Sequence, residues 1–460
     1  MHQTEQLARF ALRAGVEELS EPARSTLKVH VLDTLGCAIG ALGSEPPRAV
    51  GRQIDELGPG EGGRCTRIGG GTAAPDRAAQ WNGALVRYLD FMDNYLAAQQ
   101  TGHPCDTFAC VLAAAEVAGA QGRDLLAALA AAYQVFGRLL DEAPVQEHGF
   151  DHTVQLTYAM AAGAARALGM QPEAAAHALA LAGASVQGLV VTRSEYLSQW
   201  KGLQSAHTAL ATLNAVFLAR QGITGPLQIL DGKDGFPKAF GRPVQIDWAR
   251  EDLERVTRAS LKSYNCEVHT QPVVEAVLRL RREHRIPLEQ IERIQVEVFK
   301  QAYDITGSGE EAGDKYDVRT KEQADHSLPY IVAAALLDGE VTPRQFTTER
   351  IGCADVQALL NKVRTLRDDA YTRQYPEATP CRVQIELCGG HALAQEQADW
   401  AGFFKRPLDW QAVRAKFDGL SEAYAEASLR DEIADCVAHL EQVEVAELTR
   451  LLGRVGCARQ

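Results

Sequence analysis

The stretch DNYLAAQQTGH sets an aspartate, Asp93, ten positions ahead of a histidine, His103. His103 precedes Pro104, which biases it toward extended backbone outside a helix. Neither residue is needed to stop or start a helix. Four further strings carry the same residue types: EHGFDH with His148 and His152, SQWKG with Lys201, LKSYNCEVH with Lys262 and His269, and ADHSLPY with Asp325, His326, Ser327 and Tyr330. Asp, His, Lys and Tyr at helix ends and at a change of texture, without nucleotide or metal signals, suit cofactor-free proton chemistry.

Each residue also has a plainer reading. His148 and His152 have the spacing of a metal pair on one helix face, but Gly149 weakens that helix and no third ligand is near in sequence. Lys201 can be a solvated lysine beside Trp200, and Asp325 and Ser327 can be helix caps. RIGGGTAAP, starting at Arg67, lacks the GxGxxG spacing, a preceding buried strand and a following Lys-Ser/Thr pair, so it reads as a loop and no nucleotide cofactor is expected.

The elements that must position these residues change along the chain. Up to about residue 265 helical signals dominate. Glu21-Pro22 is a good helix start, and Leu27, Val31, Leu35, Ala38, Ile39 and Leu42 recur on one face. Asp106 is placed to cap a helix running through Phe108, Val111, Leu112 and Ala115. Ala-rich segments at 124–134, 159–168 and 173–184 suit closely packed helices. From about 266, Ile294, Val296 and Val298 alternate with polar residues, as do Val383, Ile385 and Leu387 before Gly389-Gly390, which suits a hairpin turn. Helix patterns at 273–280 and 330–337 lie between them, and 409–419 and 430–451 are helical again. The expected fold is mainly α: a large all-helical domain from 1–265 with 405–460, and a smaller α+β domain, 266–404.

The chain has 460 residues, 46% hydrophobic and 23% charged, which fits more than one core. A formal charge of −13 argues against a nucleic-acid partner but not against a small anionic substrate, which needs only a few local cations. No signal-peptide pattern or apolar run of about 20 residues is present, so no membrane partner is expected. The 10 cysteines contain no CxxC pair, which suits reduced thiols and a cytoplasmic setting, and offers no zinc or iron–sulfur framework.

Together, NGALVRYLDFMDNY, GHPCDTFACVLAAAE, GFDHTVQLTYAMAAGAARALG, QWKG, LKSYNCEVHTQPVVEA and KEQADHSLPYIVAAALLDG resemble the MmgE/PrpD family over roughly residues 5 to 450. The resemblance implies a helical domain built from both chain ends, a smaller α+β lid, a homodimer, and no metal or iron–sulfur cluster. It implies a lyase dehydrating 2-methylcitrate or a near relative, with cis-aconitate decarboxylation or iminodisuccinate epimerisation as alternatives on the same scaffold. Carried over by motif, the catalytic residues are Asp93, His103, His152, Lys201, Lys262, His326 and Tyr330, with Asp325 and His269 added as substrate-binding residues. The lysines would clamp carboxylates, Asp93 or His103 would be the base, and another histidine or Tyr330 the acid. Three positions depart from the family pattern: Asn94 replaces a hydroxyl residue, Cys105 a serine, and YNCEVH a Phe-Pro-Ala-type segment. Asp325 resembles the dehydratase branch, where a decarboxylase is expected to carry a basic residue.

Overall fold

A computed structural model describes residues 1–58, 63–185, 187–194, 197–307 and 314–456. Two units emerge: a helical one of Met1–Val190, Gly202–Leu261 and Leu408–Gln460, and a second of Val191–Lys201 and Lys262–Pro407. The architecture is mainly α, with small sheets.

In the helical unit, the helix Glu21–Gly40 begins where Ser20 Oγ accepts the amide of Ala23 at 3.2 Å and Pro22 fixes the first turn. It is buried on nearly every side from Val29 to Ile39. The Ala-rich segments form Gly122–Glu142, Thr153–Ala167 and Pro172–Ser185. Small side chains let these helices approach closely. At Gly163 a Cβ would stand 2.7 Å from Val111 Cγ2 and 3.1 Å from the Ala128 carbonyl, so no larger residue fits. From the C-terminal segment, the helix Trp410–Ser421 returns to pack on Glu21–Gly40, with fully buried Phe417 against Gly36. Burying that ring contributes roughly 2–3 kcal/mol.

The periodicity over 430–451 resolves into two helices, Ala427–Ala438 and Val445–Leu452. Between them the backbone extends and bonds to the loop at 120–122, with Gly122 N donating to Val443 O at 2.8 Å and Val445 N to Ala120 O at 3.1 Å. That pairing interrupts the helix. The glycine string after Arg67 is a loop closed by the two-residue strands Cys65–Thr66 and Thr72–Ala73.

The second unit centres on a four-stranded sheet ordered Val363–Arg367, Ile291–Val298, Cys381–Leu387, Ala392–Gln397. The first pair is parallel and the others antiparallel. Ile294, Val296, Val298, Val383 and Ile385 are fully buried, as their alternation requires, against Gln271–Glu283 and Leu328–Asp338. Ser327 caps the latter helix, its Oγ accepting Tyr330 N at 3.1 Å, and Gly339 ends it at φ +78°. Among the described residues no helix is long and apolar enough to cross a membrane. None of the described cysteines is in a disulfide, and seven of the nine are buried; Cys457 lies outside the described residues.

Candidate active site

The joint between Asp93 and His103 is a hairpin. Asn94–Leu96 and Thr101–Gly102 pair antiparallel, with Tyr95 opposite Gly102, so Asp93 and His103 meet at one end. Ala259–Ser260 adds a third strand beside Asn94 and Tyr95. Gly102 is required here, because a Cβ would fall 2.5 Å from the Phe136 ring. The chain enters this hairpin through Asp90, whose φ of 58° costs about 1–2 kcal/mol for a non-glycine residue. Arg87 Nη1 donates to its carboxylate at 2.8 Å and holds the turn.

Asp93 is 1% exposed and its carboxylate is fully engaged. Oδ2 accepts from the Tyr133 hydroxyl at 2.8 Å and lies 2.8 Å from His30 Nδ1, while Oδ1 accepts the Cys105 amide at 3.0 Å. Burial pushes this carboxyl up, but the His30 and Cys105 contacts outweigh it and hold it below the ordinary carboxylate value. Such a group orients donors better than it collects a proton. His103 Nδ1 lies 2.9 Å from the Asp93 carbonyl oxygen. A carbonyl can only accept, so Nδ1 carries the hydrogen and, in a neutral ring, Nε2 carries the lone pair.

His152 opens the helix Thr153–Ala167. Its Nδ1 is 3.0 Å from Asp151 Oδ1, and its Nε2 is buried without a hydrogen-bond partner among the described residues. The His152 and His103 rings meet edge to face, with centroids 5.4 Å apart. His148 does not share this face. It is exposed, in a separate turn ended by Gly149 at φ +84°, which removes the metal-pair reading.

The second unit gathers the lysine motifs. Glu267 N donates to Asp325 O at 2.9 Å, which lays the segment carrying Lys262 and His269 beside the ADHS turn. Asp325, fully buried, is 2.7 Å from Lys321 Nζ, 2.6 Å from His326 Nδ1 and 3.9 Å from Lys201 Nζ. Burial raises this carboxyl, but Lys201, Lys321 and His326 together hold it far below its ordinary value. The Lys201 Nζ to His326 Nδ1 distance of 3.4 Å is an approach of two donors around one oxygen, because Nδ1 already donates to Asp325. His269 Nδ1 lies 2.7 Å from Glu267 Oε1, and its Nε2 is 3.3 Å from the Tyr375 hydroxyl. Lys262 is 1% exposed.

Residues 5–249 match the MmgE/PrpD N-terminal domain and residues 264–442 the MmgE/PrpD C-terminal domain. The chain belongs to the MmgE/PrpD family. Among curated relatives it is 27% identical to the cis-aconitate decarboxylase of Mus musculus over 82% of this chain and 78% of that protein. It is 26% identical to the 2-methylcitrate dehydratase of Escherichia coli, over 77% of this chain and 76% of the relative. The 2-methylcitrate dehydratase of Salmonella typhimurium is 25% identical over 88% and 85%. Dehydratases and decarboxylases are both lyases, and the family is of that enzyme type.

Two expectations, one from the resemblance and one from the helix signals, need correction. Tyr330 is not brought into the lysine cluster. It lies in the apolar core beside Phe346, its hydroxyl donates to the Gln345 carbonyl, and burial pushes it well above the usual phenol value. Asp106 is no helix cap: its carboxylate accepts from Ser205 Oγ at 2.6 Å and lies 3.9 Å from Arg87 Nε. Of the departures from the family pattern, Cys105 serves Asp93 through its amide. Burial and the Asp93 and Asp106 carboxylates push its thiol well above the usual value, so it is no thiolate nucleophile. Asn94 donates to the Met92 carbonyl at 3.1 Å.

Sequence reasoning missed His30, Tyr133, Asp151, Glu267, Lys315 and Lys321. His30 had a signal, since His30, Asp33 and Thr34 make a polar stripe at i, i+3, i+4 in an otherwise apolar helix. Tyr133 is the one phenol in the helix Gly122–Glu142.

Proposed function

We propose that the protein is a cofactor-independent hydro-lyase that dehydrates a β-hydroxy tricarboxylate, with 2-methylcitrate to 2-methyl-cis-aconitate as its reaction. The supporting observation is the pair of buried histidines whose Nδ1 atoms are already committed. One rests on the Asp93 carbonyl, the other on the Asp151 carboxylate. Elimination needs two proton transfers: a base takes the C–H proton, the C–H electron pair forms the alkene, and an acid protonates the hydroxyl as the C–O bond breaks and water leaves. A carbonyl partner suits a ring that starts neutral, so His103 Nε2 is the base. A carboxylate partner suits a ring that carries charge, so His152 Nε2–H is the acid.

Negative charge builds on the substrate carboxylate next to the deprotonated carbon. Lys201 and Lys262 are assigned to the substrate's carboxylates, with His326 and His269 as further donors. Asp325 aims Lys201 and His326 rather than reacting. Asp93 is likewise a positioning residue, through His30, Tyr133 and Cys105.

Decarboxylation of cis-aconitate is the second reading, because the mouse decarboxylase is as similar as the dehydratases. That reaction needs only one proton, delivered to carbon after carbon dioxide leaves, and so uses half of the histidine pair. The working form is proposed to be a homodimer in the cytoplasm, and light scattering at twice the chain mass would support the dimer. The test of function is ultraviolet absorbance of the conjugated product. A rise with 2-methylcitrate that survives chelator treatment supports the proposal. Carbon dioxide from cis-aconitate, with no alkene formed from 2-methylcitrate, selects the second reading.

A further inference from the structure

The second unit buries one cation that this chemistry leaves unused. Lys315 is 7% exposed, yet its ammonium has no hydrogen bond or ion pair among the described residues. The carboxylates that face it are already occupied. Asp325 is held by Lys321 and His326, and Glu267 by the ring and amide of His269. Lys201 faces it as a like charge. Arg364, on the neighbouring strand, lies over the ring of Tyr316, the next residue.

The Lys315 backbone is not loose. Its carbonyl accepts from Ser327 Oγ at 2.6 Å, directly after His326, and the Tyr316 hydroxyl donates to Val363 O at 3.0 Å. An ammonium has three donors, and one largely buried without a hydrogen bond from the described residues leaves part of its desolvation cost uncompensated. An arriving anion removes that cost.

We propose that Lys315 is a third carboxylate-binding lysine, beside Lys201 and Lys262, and that it sets a preference for tricarboxylates over dicarboxylates. The inference rests on the proposed substrate class: three substrate carboxylates match three buried lysines. It has a titration signature. Burial foremost, with the Lys201 charge adding to it and Glu267 and Asp325 opposing it, brings the Lys315 ammonium down to about 8. A bound carboxylate raises it, so tricarboxylate binding takes up protons near that pH and weakens above it.

The test uses tricarballylate, which has three carboxylates but no hydroxyl to eliminate, and glutarate, which has two. Affinities are measured by titration calorimetry on the full chain between pH 7 and 9, in buffers of different ionisation enthalpy. Lys315→Met is expected to weaken tricarballylate by about tenfold or more, the scale of a lost charge-assisted contact, and glutarate by less than about twofold. Lys315→Arg, whose cation does not titrate in this range, is expected to retain tricarballylate binding and abolish the proton uptake. Lys315→Met removes a buried charge, so it should fold, and a thermal melt checks this. Equal weakening of both ligands, unchanged tricarballylate affinity, or no tricarballylate binding by the wild type would overturn the inference. Turnover of 2-methylcitrate is scored separately. A wild type that prefers tricarballylate through Lys315 but forms no alkene keeps this inference and sinks only the dehydratase reading.

Discussion

Asp93→Asn separates an orienting carboxylate from a catalytic base. The substitution keeps the shape of the side chain and removes its charge. The Cys105 amide cannot turn away, so the new amide must keep its oxygen toward Cys105 and present its NH2 where Oδ2 stood. There it meets Tyr133 and His30, both 2.8 Å away, which must reverse their hydrogens to accept. Three charge-assisted bonds become neutral or are lost, at about 1 kcal/mol each, and relief of carboxylate desolvation returns part of this. A net loss of about 1–3 kcal/mol follows, or roughly 1–3 °C in Tm for a chain of this length. The sign with pH is fixed by the depressed folded value. Asp93 contributes its stability above the unfolded carboxylate value, and that contribution is lost as pH falls through the folded one, so the deficit of the variant is full at pH 7 and shrinks in acid. Misplacement of His103 would lower kcat by up to ~10²-fold. Because the proton goes to His103, the acid limb of the kcat/KM profile should stay in place. An unchanged Tm together with loss of that limb would refute the assignment and make Asp93 the base.

His152→Gln should cut kcat by about 10²–10⁴-fold. In deuterated water the variant should still exchange the substrate C–H proton through His103, and loss of both exchange and elimination would contradict the acid role. Lys416→Met strips the partner, 2.7 Å away, from fully buried Asp33, whose carboxyl burial already raises despite that lysine. The stability tied to such a raised carboxyl fades as pH rises through its folded value, so the variant should lose about 3–5 kcal/mol at pH 8 and less at pH 5, by thermal melts at both. Equal losses would contradict it. Ser327→Ala removes a helix cap and the Lys315 carbonyl contact, and should cost about 1–2 kcal/mol in denaturant unfolding.

The Ala-rich helices and the alternating strands were legible because periodicity reports burial directly. Ile294, Val296 and Val298 need only the sheet to explain them. The hairpin at 94–102 was not legible, since strands of two and three residues leave no alternation to read. The lysine cluster was legible only through motif resemblance. Lys201 and Lys262 look like ordinary solvated lysines until the fold buries them, and Lys315, in the charged string DKYD, looks still more so. Tyr330 misled for the opposite reason. It sits in a motif rich in ionisable groups, yet the helical turn carries its ring into the apolar core.

The central claim is a two-histidine elimination from a β-hydroxy tricarboxylate. Proton NMR of 2-methylcitrate incubated with the chelator-treated wild type and with His152→Gln tests it most directly. The account predicts that with the wild type the substrate's methyl doublet gives way to the singlet of an alkene-bound methyl, with almost no such change from the folded variant. No alkene from the wild type with either 2-methylcitrate or citrate would contradict it.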